Sequence, residues 1–289
     1  MGSPTDSTRT DPVQPLPTPA TAAGRSGLDA FLERPGRAVV ALDFDGTLAP
    51  IVADPEQARA HPDAVRVLAA LAPKVAGIAV ITGRPADVAV RYGGFADVEG
   101  LEHLVVLGHY GAERWDAASG ETVAPEPHPG VAAAAGELPG LLAGVPAADG
   151  ARIEEKGRAV AVHTRRATDP QTAFEALREP LAGLASRHGL IVEPGRHVLE
   201  LRPPGMDKGV ALTGHVRSLG AESVLYGGDD LGDLTAFSAV DRLRATGTAG
   251  LLVCSGSDEV PELRRRADVV VDGPGGVVAL LETLAAHLA

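Results

Sequence analysis

Ala38-Val39-Val40-Ala41-Leu42 is a five-residue run without a polar position. Gly77-Ile78-Ala79-Val80-Ile81 and Leu104-Val105-Val106-Leu107 repeat the pattern. Between the first two runs, residues 61–71 set Val65, Leu68 and Leu71 on one helical face. Short runs that are apolar throughout, alternating with helical segments, predict strands buried on both faces of a parallel sheet. The same grammar returns late in the chain, at Ser223-Val224-Leu225-Tyr226, Gly250-Leu251-Leu252-Val253 and Val269-Val270-Val271. It changes in between. Ala159-Val160-Ala161-Val162-His163 and His197-Val198-Leu199-Glu200-Leu201 read as strands on either side of a helix over 169–188. Asp169 suits that helix as N-cap, with Pro170 at its first position. Pro180 predicts a break or kink within it. The expected fold is α/β: a Rossmann-like parallel-sheet core over 26–113 plus 204–289, interrupted by an α+β insert over 114–203. There is no internal repeat.

Composition narrows this picture. Residues 1–25 contain five Pro and five Thr and almost no large apolar side chain, so a disordered tail is expected there. That stretch lacks the basic start and apolar core of a signal peptide. No run approaches the roughly 20 apolar residues of a membrane helix. With Cys254 as the single cysteine, a disulfide scaffold and a multi-cysteine zinc site are excluded, and a cytoplasmic location is expected. The net charge of −12 argues against a duplex nucleic-acid partner, and an aromatic content of 3% argues against stacking on single strands. A small anionic substrate remains compatible, because one site can be positive within an acidic whole.

Four motifs carry candidate chemistry, each beside a predicted strand or helix start. Asp43-Phe44-Asp45-Gly46-Thr47 follows the first apolar run. In open parallel sheets ligands bind beyond the carboxyl ends of the strands. Residues two apart in an extended chain point the same way, so Asp43 and Asp45 can converge, and Gly46 permits a sharp exit. Carboxylates this close need a proton or a cation between them, and Mg²⁺ is the expected cation because it takes hard oxygen ligands and leaves places for phosphate and water. Gly228-Asp229-Asp230-Leu231-Gly232-Asp233, after another strand, adds three carboxylates. Thr82-Gly83-Arg84 follows Ile81 and offers a hydroxyl and backbone N–H groups to phosphate oxygens. Lys208 opens a helix and can balance a phosphoryl group beside carboxylates.

The ordered set resembles the four motifs of the haloacid dehalogenase superfamily of phosphatases. More narrowly, the chain is similar to the trehalose-6-phosphate phosphatases. This likeness rests on Gly108-His109-Tyr110-Gly111-Ala112-Glu113, on Glu154-Glu155-Lys156-Gly157 with His163-Thr164-Arg165, and on Leu199-Glu200-Leu201-Arg202-Pro203 with Gly205-Met206-Asp207-Lys208-Gly209. The resemblance implies that Asp43 is the nucleophile and Asp45 the acid and base. It implies that Thr82 and Lys208 hold the phosphoryl oxygens, with Gly83 and Arg84 on the substrate beside them. It implies a Mg²⁺ site on Asp43, Asp45 (through its carbonyl) and Asp229, supported by Asp230 or Asp233. It implies that the insert is a cap reading a sugar phosphate, with Glu154, Lys156, His163 and Arg165 as contacts and Glu113 and Glu200 at its flanks. As a hairpin, 154–165 would set Glu154 and Lys156 on one face of its first strand, and His163 and Arg165 on one face of its second. The implied partner is the small-molecule substrate alone, and a monomer is expected.

The chain departs from the family pattern at Tyr110, where His is usual, at Thr164 within the His-Tyr-Arg element, and at Leu231-Gly232 after the paired aspartates. The first two bear on sugar recognition more than on phosphoryl chemistry. His109 reads as a surface-loop side chain and Trp115 as packing at the start of the insert. Another phosphorylated sugar, such as sucrose phosphate or a glycosylglycerate phosphate, is the alternative substrate. A signalling receiver shares the acidic pocket with Thr and Lys, but the distance from Thr82 to Lys208 leaves room for an inserted domain that receivers lack.

Overall fold

The structure, a computed structural model, describes residues 14–195, 197–256 and 260–288. Its strands in chain order are β1 (Ala38–Leu42), β2 (Gly77–Ile81), β3 (Leu104–Gly108), β4 (Glu113–Asp116), β5 (Thr122–Val123), β6 (Arg152–Glu155), β7 (Val160–His163), β8 (Ile191–Gly195), β9 (Val198–Arg202), β10 (Ser223–Gly228), β11 (Ala249–Ser255) and β12 (Val269–Val271). The helices are α1 (Ala22–Glu33), α2 (Ala64–Leu71), α3 (Ala86–Gly93), α4 (Pro129–Ala143), α5 (Pro170–Arg187), α6 (Lys208–Ser218), α7 (Asp233–Ala245), α8 (Pro261–Arg266) and α9 (Gly273–His287).

The apolar runs form the middle of a large sheet, ordered β12-β11-β10-β1-β2-β3-β4-β5. Every pair from β12 to β3 is parallel. Alternate side chains feed two apolar layers, as the pleat requires. Val40, Leu42, Ile78 and Val80 pack with Phe31, Leu68, Leu71, Leu281 and Leu284 on one face. Val39, Ala41, Ala79 and Ile81 pack with Leu212, Val216, Phe237 and Val240 on the other. Each fully buried Leu, Ile or Val stabilises by about 1.5–3 kcal/mol. β1 lies between β10 and β2, with Leu42 opposite Gly227 and Val80. The residues that leave these three strands therefore emerge side by side at one edge, and this positions the site.

The second sheet is antiparallel, ordered β6-β7-β9-β8. Val160, Val162, Leu199 and Leu201 pack against Val131, Leu138, Leu177, Leu181 and Leu184 from α4 and α5. Glu154, Ala161, Glu200 and Glu193 stand in one cross-strand row on the opposite face.

Four features differ from the sequence-based expectation. Residues 1–13 of the expected tail lie outside the described residues, but residues 22–25 open α1. Thr21 caps that helix by accepting the Gly24 N–H at 2.9 Å, and its hydroxyl donates to Asp268. A Cβ at Gly27 would come within 1.8 Å of the Gly250 carbonyl, so the helix rests directly on β11. Burial of Phe31 adds the apolar anchor that the Pro-rich segment lacks. Second, the expected insert begins at 114, yet β4 and β5 extend the large sheet through Val123, with Trp115 buried in its core. Third, α5 runs through Pro180 without breaking, because Ala173, Leu177, Leu181 and Leu184 are buried along one stripe that outweighs one missing hydrogen bond. Fourth, β7 ends at His163. Thr164, buried in phase with Val160 and Val162, donates its N–H to the His197 carbonyl, and Arg165, expected within the second hairpin strand, lies exposed beyond it.

Candidate active site

Asp43 follows β1 directly, and its N–H donates to the Gly227 carbonyl at 2.9 Å, which extends the strand ladder by one residue. The chain then turns at Gly46, whose φ of +77° is open to glycine and strained for other residues. A Cβ there would lie 2.0 Å from Asp229 Oδ2, so glycine is also what lets Asp229 approach from the end of β10. The Thr47 hydroxyl donates to Asp229 Oδ1 at 3.1 Å. Thr82 is buried just beyond the end of β2, the strand that pairs with β1. Its Oγ1 accepts the Arg84 N–H at 3.1 Å, which leaves the hydroxyl proton free for a phosphate oxygen.

Lys208 begins α6, where Asp207 caps the helix by accepting the Val210 N–H at 2.8 Å. Only 3% of the Lys208 side chain is exposed. Its ammonium lies 3.0 Å from Asp43, 2.8 Å from Asp233 and 3.3 Å from Asp230. Asp233 is fully buried. Its Oδ1 accepts from Lys208 and, at 2.6 Å, from the Tyr226 hydroxyl; its Oδ2 accepts the N–H groups of Asp229 and Asp230 at 2.8 and 2.9 Å. Asp233 thus folds the loop and holds the lysine. Asp230 stands at the exposed rim.

Several carboxylates therefore face one ammonium. Burial, followed by Asp233 and Asp230, pushes the Asp229 carboxyl up to about 8. Burial likewise raises the Asp43 carboxyl well above the usual range, against the pull of Lys208. Burial opposes the charge on Lys208, but its acidic neighbours outweigh that and raise its pKa. Carboxylate oxygens of Asp43, Asp229 and Asp233 lie within 4.8 Å of one another. A buried, all-oxygen set that repels itself fits a hard divalent cation. Because both oxygens of Asp233 already accept two donors each, Asp43 and Asp229 offer the open lone pairs. The Asp45 carboxylate is outside this group and pairs with Arg84.

The small sheet contributes a second polar cluster, paired within itself. Lys156 Nζ lies 2.6 Å from Glu200, and His163 Nε2 lies 2.7 Å from Glu154. Glu113 accepts from Arg158 at 3.0 Å and from the Ala86 N–H at 2.8 Å. Arg165 joins neither pair. His109 is buried, not a surface-loop side chain: it is 4% exposed, neither ring nitrogen has a hydrogen-bond partner, Glu113 lies 3.9 Å from Nε2, and burial lowers its pKa. Its φ of 48° and that of 58° at Tyr110 turn the chain sharply after β3, folding His109 inward.

Tyr226, Thr47, Arg158 and Arg202 have no role in the sequence reading, although three of them lie within the strand run and motifs it names. Tyr226 looks like one more apolar strand position, and only the loop folding back onto it reveals its hydroxyl as a partner for Asp233. Arg202 spans Glu193, the Met206 carbonyl and the Tyr110 ring, which no spacing rule connects.

A protein-family model described as Trehalose-phosphatase matches residues 41–269. The chain belongs to the trehalose-phosphatase family. The trehalose-phosphate phosphatase of Mycolicibacterium paratuberculosis (strain ATCC BAA-968 / K-10) is 34% identical over 281 residues, covering 93% of this chain and 67% of that protein. The Mycobacterium marinum protein of the same name is 32% identical over 264 residues, 87% of this chain and 62% of its own length. An uncharacterized glycosyl hydrolase of Mycobacterium tuberculosis (strain ATCC 25618 / H37Rv) is 38% identical over 266 residues, and the match spans 18% of it. The chain thus spans about two thirds or less of these relatives. Among solved structures, the C-terminal domain of a C. albicans trehalose-6-phosphate phosphatase aligns with a TM-score of 0.71 at 22% identity, covering 94% of this chain and 99% of that one. A haloacid dehalogenase-like hydrolase from Bacteroides thetaiotaomicron aligns with a TM-score of 0.57 at 16% identity, covering 86% and 99%. These two show the fold, a haloacid dehalogenase-like core with a second, antiparallel sheet. No described helix is long and apolar enough to cross a membrane.

Proposed function

We propose that this chain hydrolyses trehalose 6-phosphate to trehalose and phosphate through a phosphoryl intermediate on Asp43. The observation that carries the reading is Asp43 itself: a buried carboxylate at a parallel-strand end, 3.0 Å from the Lys208 ammonium and grouped with Asp229 and Asp233. Phosphoryl transfer needs positioning and charge balance above all. An Asp43 oxygen attacks phosphorus as the bond to the sugar oxygen breaks, and Asp45 supplies a proton to that oxygen. Water then attacks phosphorus, the bond to Asp43 breaks, and Asp45 takes the water proton. Thr82 and Lys208 hold the phosphoryl oxygens between these events. Asp43 and Asp229, with the Asp45 carbonyl, would hold Mg²⁺, with Asp233 bracing the loop from behind; the cation supplies charge neutralisation for phosphate beside carboxylates.

In this reading the insert is a cap over the site. Glu154, Lys156, His163 and Glu200 on one face of the small sheet, with Glu113 from the core, exchange their internal ion pairs for sugar hydroxyls. A monomer in the cytoplasm is part of the same proposal. The test is phosphate release by the full chain with Mg²⁺ from trehalose 6-phosphate, sucrose 6-phosphate and a glycosylglycerate phosphate. Trehalose 6-phosphate is expected to have the highest kcat/KM, and Asp43→Asn to abolish turnover. Preference for another sugar phosphate overturns the substrate assignment; activity surviving in Asp43→Asn overturns the mechanism.

A further inference from the structure

The Asp45 carboxylate does not stand free. Arg84 Nε donates to its Oδ2 and Arg84 Nη2 to its Oδ1, both at 2.7 Å. The arginine side chain is 16% exposed and the aspartate 33%. Two parallel N–H bonds fix the plane of a carboxylate as well as its position. Arg84 is in turn held on every side. Its N–H donates to Thr82 Oγ1, and its carbonyl accepts the His109 N–H at 2.9 Å. Its guanidinium lies 5.9 Å from the Phe44 ring centroid and 5.2 Å from that of Tyr92. No other side chain among the described residues bonds the Asp45 carboxylate.

We propose that Arg84 is the positioning residue for Asp45: its fork aims the carboxylate at the water that releases phosphate from Asp43. The inference rests on the phosphatase reading and adds to it a role for Arg84 other than substrate contact. In the hydrolytic step the water oxygen forms a bond to phosphorus and the phosphorus–Asp43 oxygen bond breaks. The electron pair returns to the Asp43 carboxylate, and the water proton goes to an Asp45 oxygen. A carboxylate offers about four lone-pair sites, and the fork occupies one on each oxygen, so acceptor capacity remains for that proton. Without the fork, a side chain on a turn at the sheet edge samples several rotamers, of which one is productive. The pairing takes the Nε–Nη2 edge of the guanidinium, two of its five N–H donors, so a substrate oxygen has only the remaining Nη donors to meet.

The experiment is stopped-flow turnover of p-nitrophenyl phosphate by the full chain with Mg²⁺, comparing wild type, Arg84→Lys, Arg84→Gln, Asp45→Asn and Arg84→Lys/Asp45→Asn. p-Nitrophenolate leaves without needing a proton, so the first half-reaction bypasses Asp45, whereas the second does not. Both Arg84 variants are expected to give a burst of about one p-nitrophenolate per active site, followed by steady turnover about 100-fold below wild type with a lower KM. Asp45→Asn should show the same burst, and adding Arg84→Lys to it should slow the steady phase by less than about threefold, because the two residues act as one unit. The burst amplitude counts folded sites, so partial misfolding lowers the amplitude and not the ratio of the two phases. Slow turnover without a burst and with a raised KM overturns the proposal in favour of substrate contact. Unchanged or faster steady turnover overturns it as well, since the fork would then be idle or hold Asp45 back. A wild type inactive on every phosphate ester defeats the phosphatase reading itself; an active wild type with burst-free variants defeats this inference alone.

Discussion

Replacing Asp229 by Asn in the metal-free protein is expected to stabilise the fold while removing its response to Mg²⁺. The two side chains have the same shape, and the Thr47 hydroxyl can donate to the amide oxygen of the variant side chain as it does to Asp229 Oδ1. What changes is charge. Burial and the neighbouring Asp233 and Asp230 raise the Asp229 carboxyl to about 8, against about 3.9 in an unfolded chain. The folded state therefore retains a proton that the unfolded state releases above pH 4. Stability from this group is full below that pH and is lost as pH climbs towards 8. At pH 7 the loss is about 4 kcal/mol. Over a chain of this length that corresponds to a melting temperature about 7 °C higher for Asp229→Asn in the presence of a chelator. The gap should narrow to below about 2 kcal/mol at pH 5. Mg²⁺ at 100 times its Kd should return about 2.7 kcal/mol to the wild type and nothing to the variant. Differential scanning calorimetry at pH 5 and 7, with EDTA or Mg²⁺, measures all four quantities. A variant no more stable than wild type in EDTA at pH 7, or an equal Mg²⁺ response in both, would refute the assignment of Asp229 as a strained, cation-seeking carboxylate.

Gly46→Ala should cost about 1–2 kcal/mol from its left-handed φ alone, and its Cβ would displace Asp229, so isothermal titration should show weakened Mg²⁺ binding. Tyr226→Phe removes a 2.6 Å hydrogen bond to Asp233; a loss of about 1.5–3 kcal/mol in urea unfolding is expected, and an unchanged midpoint would show that Asp233 does not need it. His215 is buried without a partner on either ring nitrogen, and burial, with Arg114 second, lowers its pKa to about 4. Its stability contribution is present above pH 6.5 and is lost as pH falls towards 4, by about 3 kcal/mol; His215→Leu should lack that acid-side loss when unfolding is compared at pH 7 and pH 4.

Local pattern reaches a long way into this molecule because the central strands are apolar on both faces. Such a run, five residues long and flanked by turn residues, has few structural alternatives, and it ends where a parallel sheet places ligands. That Asp43, Thr82 and Asp229 leave the ends of neighbouring strands is therefore legible from the sequence. The reading weakens where one face is solvated or where packing overrides propensity. β5 is two exposed residues joined to the sheet edge by pairing alone. The break expected at Pro180 does not occur, since the buried stripe of α5 continues past it. The expected second strand of the hairpin runs on to Arg165, whereas β7 stops at His163.

What the sequence determined by itself is the order of the central apolar strands and the gathering of acidic residues at one sheet edge, since both follow from period, turn chemistry and strand direction. What only the tertiary structure decided is the partner of each charge. Asp233 faces Tyr226 and Lys208, Asp45 faces Arg84, and His109 is buried beside the acidic Glu113. Hydrogen bonds act over about 3 Å, whereas the partners that matter most here, Asp45 with Arg84 and Lys208 with Asp43, lie far apart along the chain. Which donor reaches which acceptor is settled when helices and loops pack against the sheet, and no local period encodes it.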